Sequence, residues 1–227
     1  MHSHPFDAII FDHDGTLIDT ETPDFQACQI LFAEYGLLLS LEHWAQHAVG
    51  HMNGYDFLFA EIIQANGNGL TKNDIWPRLK ELSQITLQNA ELMPGVIRLL
   101  PQLQAAGYPL AVATASDRAW AIRWLNHFNL WSYFNVIATS DDIIHNKPAP
   151  DVYLFAAQQL GVPPERCLVF EDSVAGMQSA KAAGMTVIAL PSHVTKSLDF
   201  SQADEIMEGL DKVSVEWITE LGLAKGF

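Results

Sequence analysis

Continuous apolar runs, two of them opened by a polar residue (Asn135 and Thr186), recur at wide intervals, at residues 8–11, 110–113, 135–138, 167–170 and 186–190. They run unbroken rather than alternating and end at polar or turn-forming residues, which predicts central strands of a parallel sheet with helices between them. Between the first and second runs the pattern turns helical. Thr22-Pro23 reads as a helix start, and Phe25, Cys28, Ile30, Leu31, Phe32 and Tyr35 make a broad apolar face that ends at Gly36. Further helices are predicted near 41–48, 55–65 and 74–90, with Asn66-Gly67-Asn68-Gly69 as a loop. Met93-Pro94-Gly95-Val96 marks the return to strand–helix units, ahead of a helix through Leu103. There is no internal repeat or low-complexity tract.

The chemistry gathers at the ends of the predicted strands. The first run leads into Asp12-His13-Asp14-Gly15-Thr16. Two carboxylates two residues apart at a strand mouth can face one ligand, while Gly15 lets the backbone come close to it. The second run ends in Thr114-Ala115-Ser116-Asp117, where Ser116 or Asp117 can cap a helix whose free N–H groups suit an anion. The third is followed by Asn146-Lys147-Pro148-Ala149-Pro150-Asp151, one ammonium at a stiff turn, and the fourth by Glu171-Asp172-Ser173, with Ser173 placed to cap the next helix. Each piece alone has a bland reading as a turn, a cap or a dipole-complementing acid. In an open α/β sheet, however, ligands bind beyond the carboxyl ends of the strands, so all four would converge on one place.

With 227 residues, 49% of them hydrophobic, the chain can bury a core as one large or two small domains. A formal charge of −15 argues against nucleic acid or an anionic membrane as partner. It does not exclude a phosphorylated ligand, because exposed acids are screened beyond about 8 Å at physiological salt. Cys28 and Cys167 form no metal or redox motif and suggest a reducing compartment. With no apolar leader and no membrane-length segment, a cytoplasmic location is expected.

These residues resemble the haloacid dehalogenase superfamily, and within it the β-phosphoglucomutase-like phosphatases with a small helical cap. Residues Phe11 to Glu21 look like the first motif of that family and Thr114 like the second. Lys147 in K-P-x-P-D looks like the third, and Glu171-Asp172 in E-D-S-x-x-G like the fourth. The resemblance implies an α/β fold, a doubly wound parallel sheet forming a Rossmann-like core over residues 1–16 and 88–227, with an all-helical cap domain at 17–87. It implies a phosphoric monoester hydrolase with Asp12 as nucleophile and Asp14 as general acid and base. Thr114 would bond a phosphoryl oxygen, and Lys147 would add positive charge. Mg²⁺ would bind the Asp12 and Asp172 carboxylates and the Asp14 backbone carbonyl, with Glu171 acting one step back through water or by orienting ligands. Asp14 also argues against a dehalogenase, whose related motif lacks that second acid.

The resemblance further assigns substrate selection to the cap, whose loop holds Gly50, His51 and Asn53. The mutases carry there an Arg that binds a second phosphate, and the nearest position here is Asn53. The cap has only Lys72, Arg78 and Lys80 as basic residues. A phosphatase of a small phosphorylated metabolite, such as a sugar or polyol phosphate, is therefore expected ahead of a phosphosugar mutase, and both ahead of a non-catalytic binding module. His13, Ala115 and Ser116 complete the expected substrate contacts. His43 and His47, at i and i+4, read as a cap-packing pair, and Trp120, Trp124 and Phe128 as a packing stripe. A monomer or weak dimer is expected.

Overall fold

The run Ala8–Phe11 forms β1, buried along its whole length as a strand covered on both faces must be. In this computed structural model, which describes residues 4–49, 54–67 and 69–226, the chain then turns through Gly15 into the two-residue strand β2 (Ile18–Asp19). Four helices follow: α1 (Glu21–Glu34), α2 (Leu41–His47), α3 (Gly54–Asn66) and α4 (Lys72–Thr86). A short strand β3 (Glu91–Leu92) pairs with β2 and leads to α5 (Val96–Ala105). From there strands and helices alternate as β4 (Leu110–Ala113), α6 (Arg118–His127), β5 (Val136–Ala138), α7 (Asp151–Leu160), β6 (Cys167–Glu171), α8 (Val174–Ala182) and β7 (Thr186–Ala189). The chain closes with β8 (Glu205–Ile206) and α9 (Val215–Ala224).

Six strands form one sheet in the order β5-β4-β1-β6-β7-β8, every pair parallel. β1 lies between β4 and β6, with Phe11 opposite both Val112 and Phe170. The chain first winds from β1 outward to β5, then returns to β6 on the other side. That reversal opens a crevice at the carboxyl ends of β4, β1 and β6.

Two compact units make up the chain. The first takes the chain up to Ile18, Leu92–Ser192 and the chain from Asp199 on, and holds the large sheet. The second takes Asp19–Glu91 and also His193–Leu198. The sequence reading set the cap at 17–87 and left 193–198 in the core. The core of the second unit joins Leu31, Phe32, Trp44, Leu58, Ile62 and Ile75 from the four helices to Val194, with Leu198 packed against it.

Local chemistry moves some expected boundaries. Asp19 accepts the Thr22 N–H at 2.9 Å, which starts α1 at Glu21. A capping box, in which the Thr71 N–H and hydroxyl both reach Asp74 Oδ2, starts α4 at Lys72 rather than 74. Its last turn tightens into a 3₁₀ turn at Leu87–Asn89. β8 was not anticipated, since both of its residues are exposed and it carries no apolar run. Among the described residues no helix is long and apolar enough to cross a membrane.

Candidate active site

Past the end of β1 the Asp12 N–H still donates to the Phe170 carbonyl at 3.0 Å, so the sheet itself fixes the backbone of the first acid. The next residues turn sharply, and Gly15 has φ of +78°, in the left-handed region that favours glycine. Its missing side chain matters as well, because a Cβ there would run into the Asp172 carboxylate. Asp172 in turn directly follows β6, and Thr16 Oγ1 lies 3.4 Å from its Oδ1. The close approach of these two strand ends therefore depends on glycine at position 15.

Lys147 reaches the same place from the turn before α7, where the Lys147–Pro148 peptide is cis. Its buried ammonium donates to Asp12 Oδ1 at 2.6 Å and to Glu171 Oε1 at 2.7 Å, and lies 4.9 Å from the centre of the Tyr153 ring. Burial pushes the Asp12 carboxyl up to about 7, against the pull of Lys147 and with a further push from Glu171 and Asp14. Burial works against the charge on Lys147, but Asp12 and Glu171 hold its pKa well above the ordinary lysine value.

Glu171 is fully engaged. Its Oε1 also accepts from the Tyr153 hydroxyl at 3.2 Å, and its Oε2 accepts the Ser173 N–H and hydroxyl at 2.7 and 3.0 Å. Ser173 meanwhile caps α8 by accepting the Gly176 N–H at 3.0 Å. A carboxylate with both oxygens held in this way suits an orienting role better than direct ligation.

Asp12, Glu171 and Asp172 offer ligand oxygens within 4.8 Å of one another, all buried. The donor set is oxygen only, with no imidazole or thiolate, which suits a hard divalent cation rather than zinc. With all three ionised beside one ammonium, the four side chains carry an excess of two negative charges, the charge of one such cation. The residues present fit a group of the Mg²⁺ type.

Asp14 belongs to a different set of partners. Ser116 Oγ donates to its Oδ2 at 2.8 Å and the Trp120 indole N–H to its Oδ1 at 2.9 Å. Ser116 stands in the β4–α6 connection and Trp120 in the first turn of α6. Thr114 Oγ1 accepts the Ser116 N–H at 3.0 Å, and so keeps its own hydroxyl proton to give. Asp117 Oδ1 accepts the Trp120 N–H at 2.7 Å and caps α6, so of the two expected cap residues it is Asp117 that serves. The exposed Ala115 uses its carbonyl to accept from the Asn146 side chain at 2.9 Å, tying the Thr114 and Lys147 segments together.

His13 is wholly buried, and its Nδ1 lies 3.2 Å from Asp14 Oδ1, at ion-pair distance without the directed geometry of a hydrogen bond. Burial opposes protonation of the imidazole, yet Asp14 raises its pKa above the ordinary histidine value. The ring thus has Asp14 as its charged neighbour. Gly50, His51 and Asn53 lie outside the described residues.

Two side chains with a part here escaped the sequence reading. Trp120 had been assigned to a packing stripe, and its ring does pack edge-on against Trp124 at 5.8 Å, but its N–H serves Asp14. Tyr153 carries no motif signature of its own in the sequence. An aromatic with a polar tip on the first turn after the K-P-x-P-D segment was the available signal. His43, by contrast, is paired with Glu61 at 2.6 Å, and His47 stacks on Phe57 at 4.0 Å, as expected of a cap-packing pair.

Comparison with known proteins gives the family. Residues 9–190 match the family described as haloacid dehalogenase-like hydrolase. Protein CbbY of Rhodobacter capsulatus is 37% identical over 222 residues, covering 94% of this chain and 98% of that protein. Fructose-1-phosphate phosphatase YqaB of Escherichia coli (strain K12) is 34% identical over 183 residues, covering 79% of this chain and 94% of its own length. The crystal structure of a mutant CbbY from Rhodobacter sphaeroides in complex with xylulose 1,5-bisphosphate aligns with a TM-score of 0.73 at 28% identity, over 92% of this chain and 96% of that one. The chain belongs to the haloacid dehalogenase-like hydrolase family.

Proposed function

We propose that this protein is a Mg²⁺-dependent phosphatase of a small phosphorylated metabolite, a sugar or polyol phosphate, working through an aspartyl phosphate on Asp12. The observation that carries this reading is the division of the two aspartates between separate sets of partners, Lys147 for Asp12 and Ser116 with Trp120 for Asp14. One carboxylate is held by a cation at the mouth of the sheet, as a nucleophile approaching an anionic phosphate needs. The other takes its hydrogen bonds from two neutral donors and none from Lys147, as a proton carrier needs.

Asp12 attacks phosphorus while Lys147 fixes its Oδ1, and the Thr114 hydroxyl donates to a phosphoryl oxygen. Asp14 gives its proton to the leaving oxygen, then takes a proton from the water that cleaves the aspartyl phosphate. The Asp12 and Asp172 carboxylates and the Asp14 carbonyl would hold Mg²⁺, with Glu171 orienting them. Bound there, Mg²⁺ supplies neutralisation of phosphoryl charge.

Two observations favour hydrolysis over mutase chemistry on phosphosugars. YqaB is named for a sugar phosphatase activity, which supports the substrate class. Arg78, the one Arg in the cap sequence, is spent on a bidentate pair with Glu34 and a bond to Glu81, and Lys72 on Asp56. Turnover of a panel of sugar and polyol phosphates with Mg²⁺ is expected, lost with EDTA and reduced on the order of 10⁴-fold or more in Asp12→Asn. Activity that survives in Asp12→Asn overturns the nucleophile assignment, and isomerisation of a hexose 1-phosphate without phosphate release overturns hydrolysis.

A further inference from the structure

The indole N–H of Trp120 can only donate, and of the acids at the site it donates to Asp14. Its position is well determined. The Trp120 backbone N–H is taken by the Asp117 cap at 2.7 Å, and the Trp120 ring rests edge-on against Trp124, one helical turn on. Ser116, which holds the other oxygen of Asp14, is fixed by its own N–H bond to Thr114 at 3.0 Å. Each carboxylate oxygen of Asp14 therefore meets a donor mounted on one rigid piece, the end of β4 and the first turn of α6. β4 is the strand beside β1, in register at Phe11 and Val112.

We propose that Trp120, together with Ser116, is the positioning residue for Asp14, holding its carboxyl group where the proton of the leaving oxygen must be delivered. The inference rests on the phosphatase reading above. In the first step the Asp12–phosphorus bond forms, the bond from phosphorus to the leaving oxygen breaks, and the proton on Asp14 passes to that oxygen. In the second step water forms the new bond to phosphorus, the Asp12–phosphorus bond breaks, and the Asp14 carboxylate takes a proton from the water. A carboxyl group free to rotate about χ1 and χ2 would miss both transfers in most of its rotamers.

The leaving group makes the test specific. An alkoxide needs protonation as it departs, whereas p-nitrophenolate departs without it, so only loss of proton delivery produces a dependence on leaving-group basicity. In the full-length protein with Mg²⁺, kcat/KM is measured over p-nitrophenyl phosphate, less activated aryl phosphates and an alkyl phosphate. Trp120→Phe keeps an aromatic ring against Trp124 and removes the N–H. Its kcat/KM is expected to fall roughly ten- to hundredfold more for the alkyl phosphate than for p-nitrophenyl phosphate, a part of the roughly 10²–10⁴ that general acid–base catalysis supplies.

Ser116→Ala, which leaves the aromatic packing intact, is expected to shift the dependence in the same direction and serves if Trp120→Phe does not fold. Trp124→Phe, which disturbs the packing and spares the N–H, is expected to lower all substrates alike. A loss in Trp120→Phe that is uniform across the series, or a leaving-group dependence equally strong in Trp124→Phe, overturns the positioning role. Wild-type protein that hydrolyses none of the series overturns the phosphatase reading and this proposal with it.

Discussion

At the scale of single residues, the smallest side chain at the site sets the spacing of the largest charges. Gly15 combines a φ of +78° with a position whose Cβ would overlap the Asp172 carboxylate. Gly15→Ala therefore meets two separate costs, about 1–2 kcal/mol for the left-handed backbone and a displacement of one of the carboxylates proposed to hold the cation. The expected outcome is a lower melting temperature together with Mg²⁺ affinity reduced by about tenfold or more, both read by calorimetry; an affinity equal to wild type would sever Gly15 from the metal site. The acids at 12, 14, 171 and 172, the hydroxyl at 114 and the ammonium at 147 could be picked out as candidates because each stands within three residues of the end of an apolar run or in a stiff turn. The partners of Asp14 were not. Ser116 and Trp120 lie 102 and 106 residues further along the chain, and their use depends on β4 being the strand beside β1, which no local pattern encodes.

At the scale of elements, the strands were easy to read and the ends of the helices less so. A parallel strand buried on both faces has to be a continuous apolar run, and β1, β4 and β6 are. Helix starts are decided by single side-chain bonds such as Asp19 to Thr22, and β8 and 193–198 offer neither a run nor a period. The second of these carries weight nonetheless. Val194 is 1% exposed and sits in the same cluster as Trp44, Leu58 and Ile75 of the helical unit. Val194→Ala is expected to cost about 1.5–2 kcal/mol, with faster amide exchange in α1 and α4 than in β1 and β6. Exchange quickened evenly over the whole chain would place Val194 in the other core.

At the scale of the whole molecule, stability and ionisation of the site are linked. Burial raises Asp12 from 3.8 to about 7, so without metal the folded state holds a proton that the unfolded chain has already lost. A carboxyl group whose pKa is raised by folding contributes stability that is fully present below about 4 and disappears as pH rises through about 7. In EDTA the protein is therefore expected to lose stability to urea between those limits. Mg²⁺, which favours the carboxylate, should abolish the loss, and Asp12→Asn should flatten it. Asp204 works in the opposite sense. Partial burial would raise its pKa, but Lys181, Lys225 and the Val187 N–H hold it below the usual carboxylate value, so its contribution vanishes only as pH falls below about 4. A slope in EDTA that survives in Asp12→Asn would trace the effect to another group.

The discontinuity of the helical unit also bears on how the protein is made. Its core needs Val194 and Leu198, and these leave the ribosome after β4, β5, β6 and β7 have all been synthesised. The four helices are therefore produced early and must wait, with one apolar facet bare, until almost the entire sheet has emerged. A gene fragment encoding only 19–91 reproduces that waiting state permanently. Grafting this unit onto another scaffold would require the hexapeptide 193–198 to travel with it.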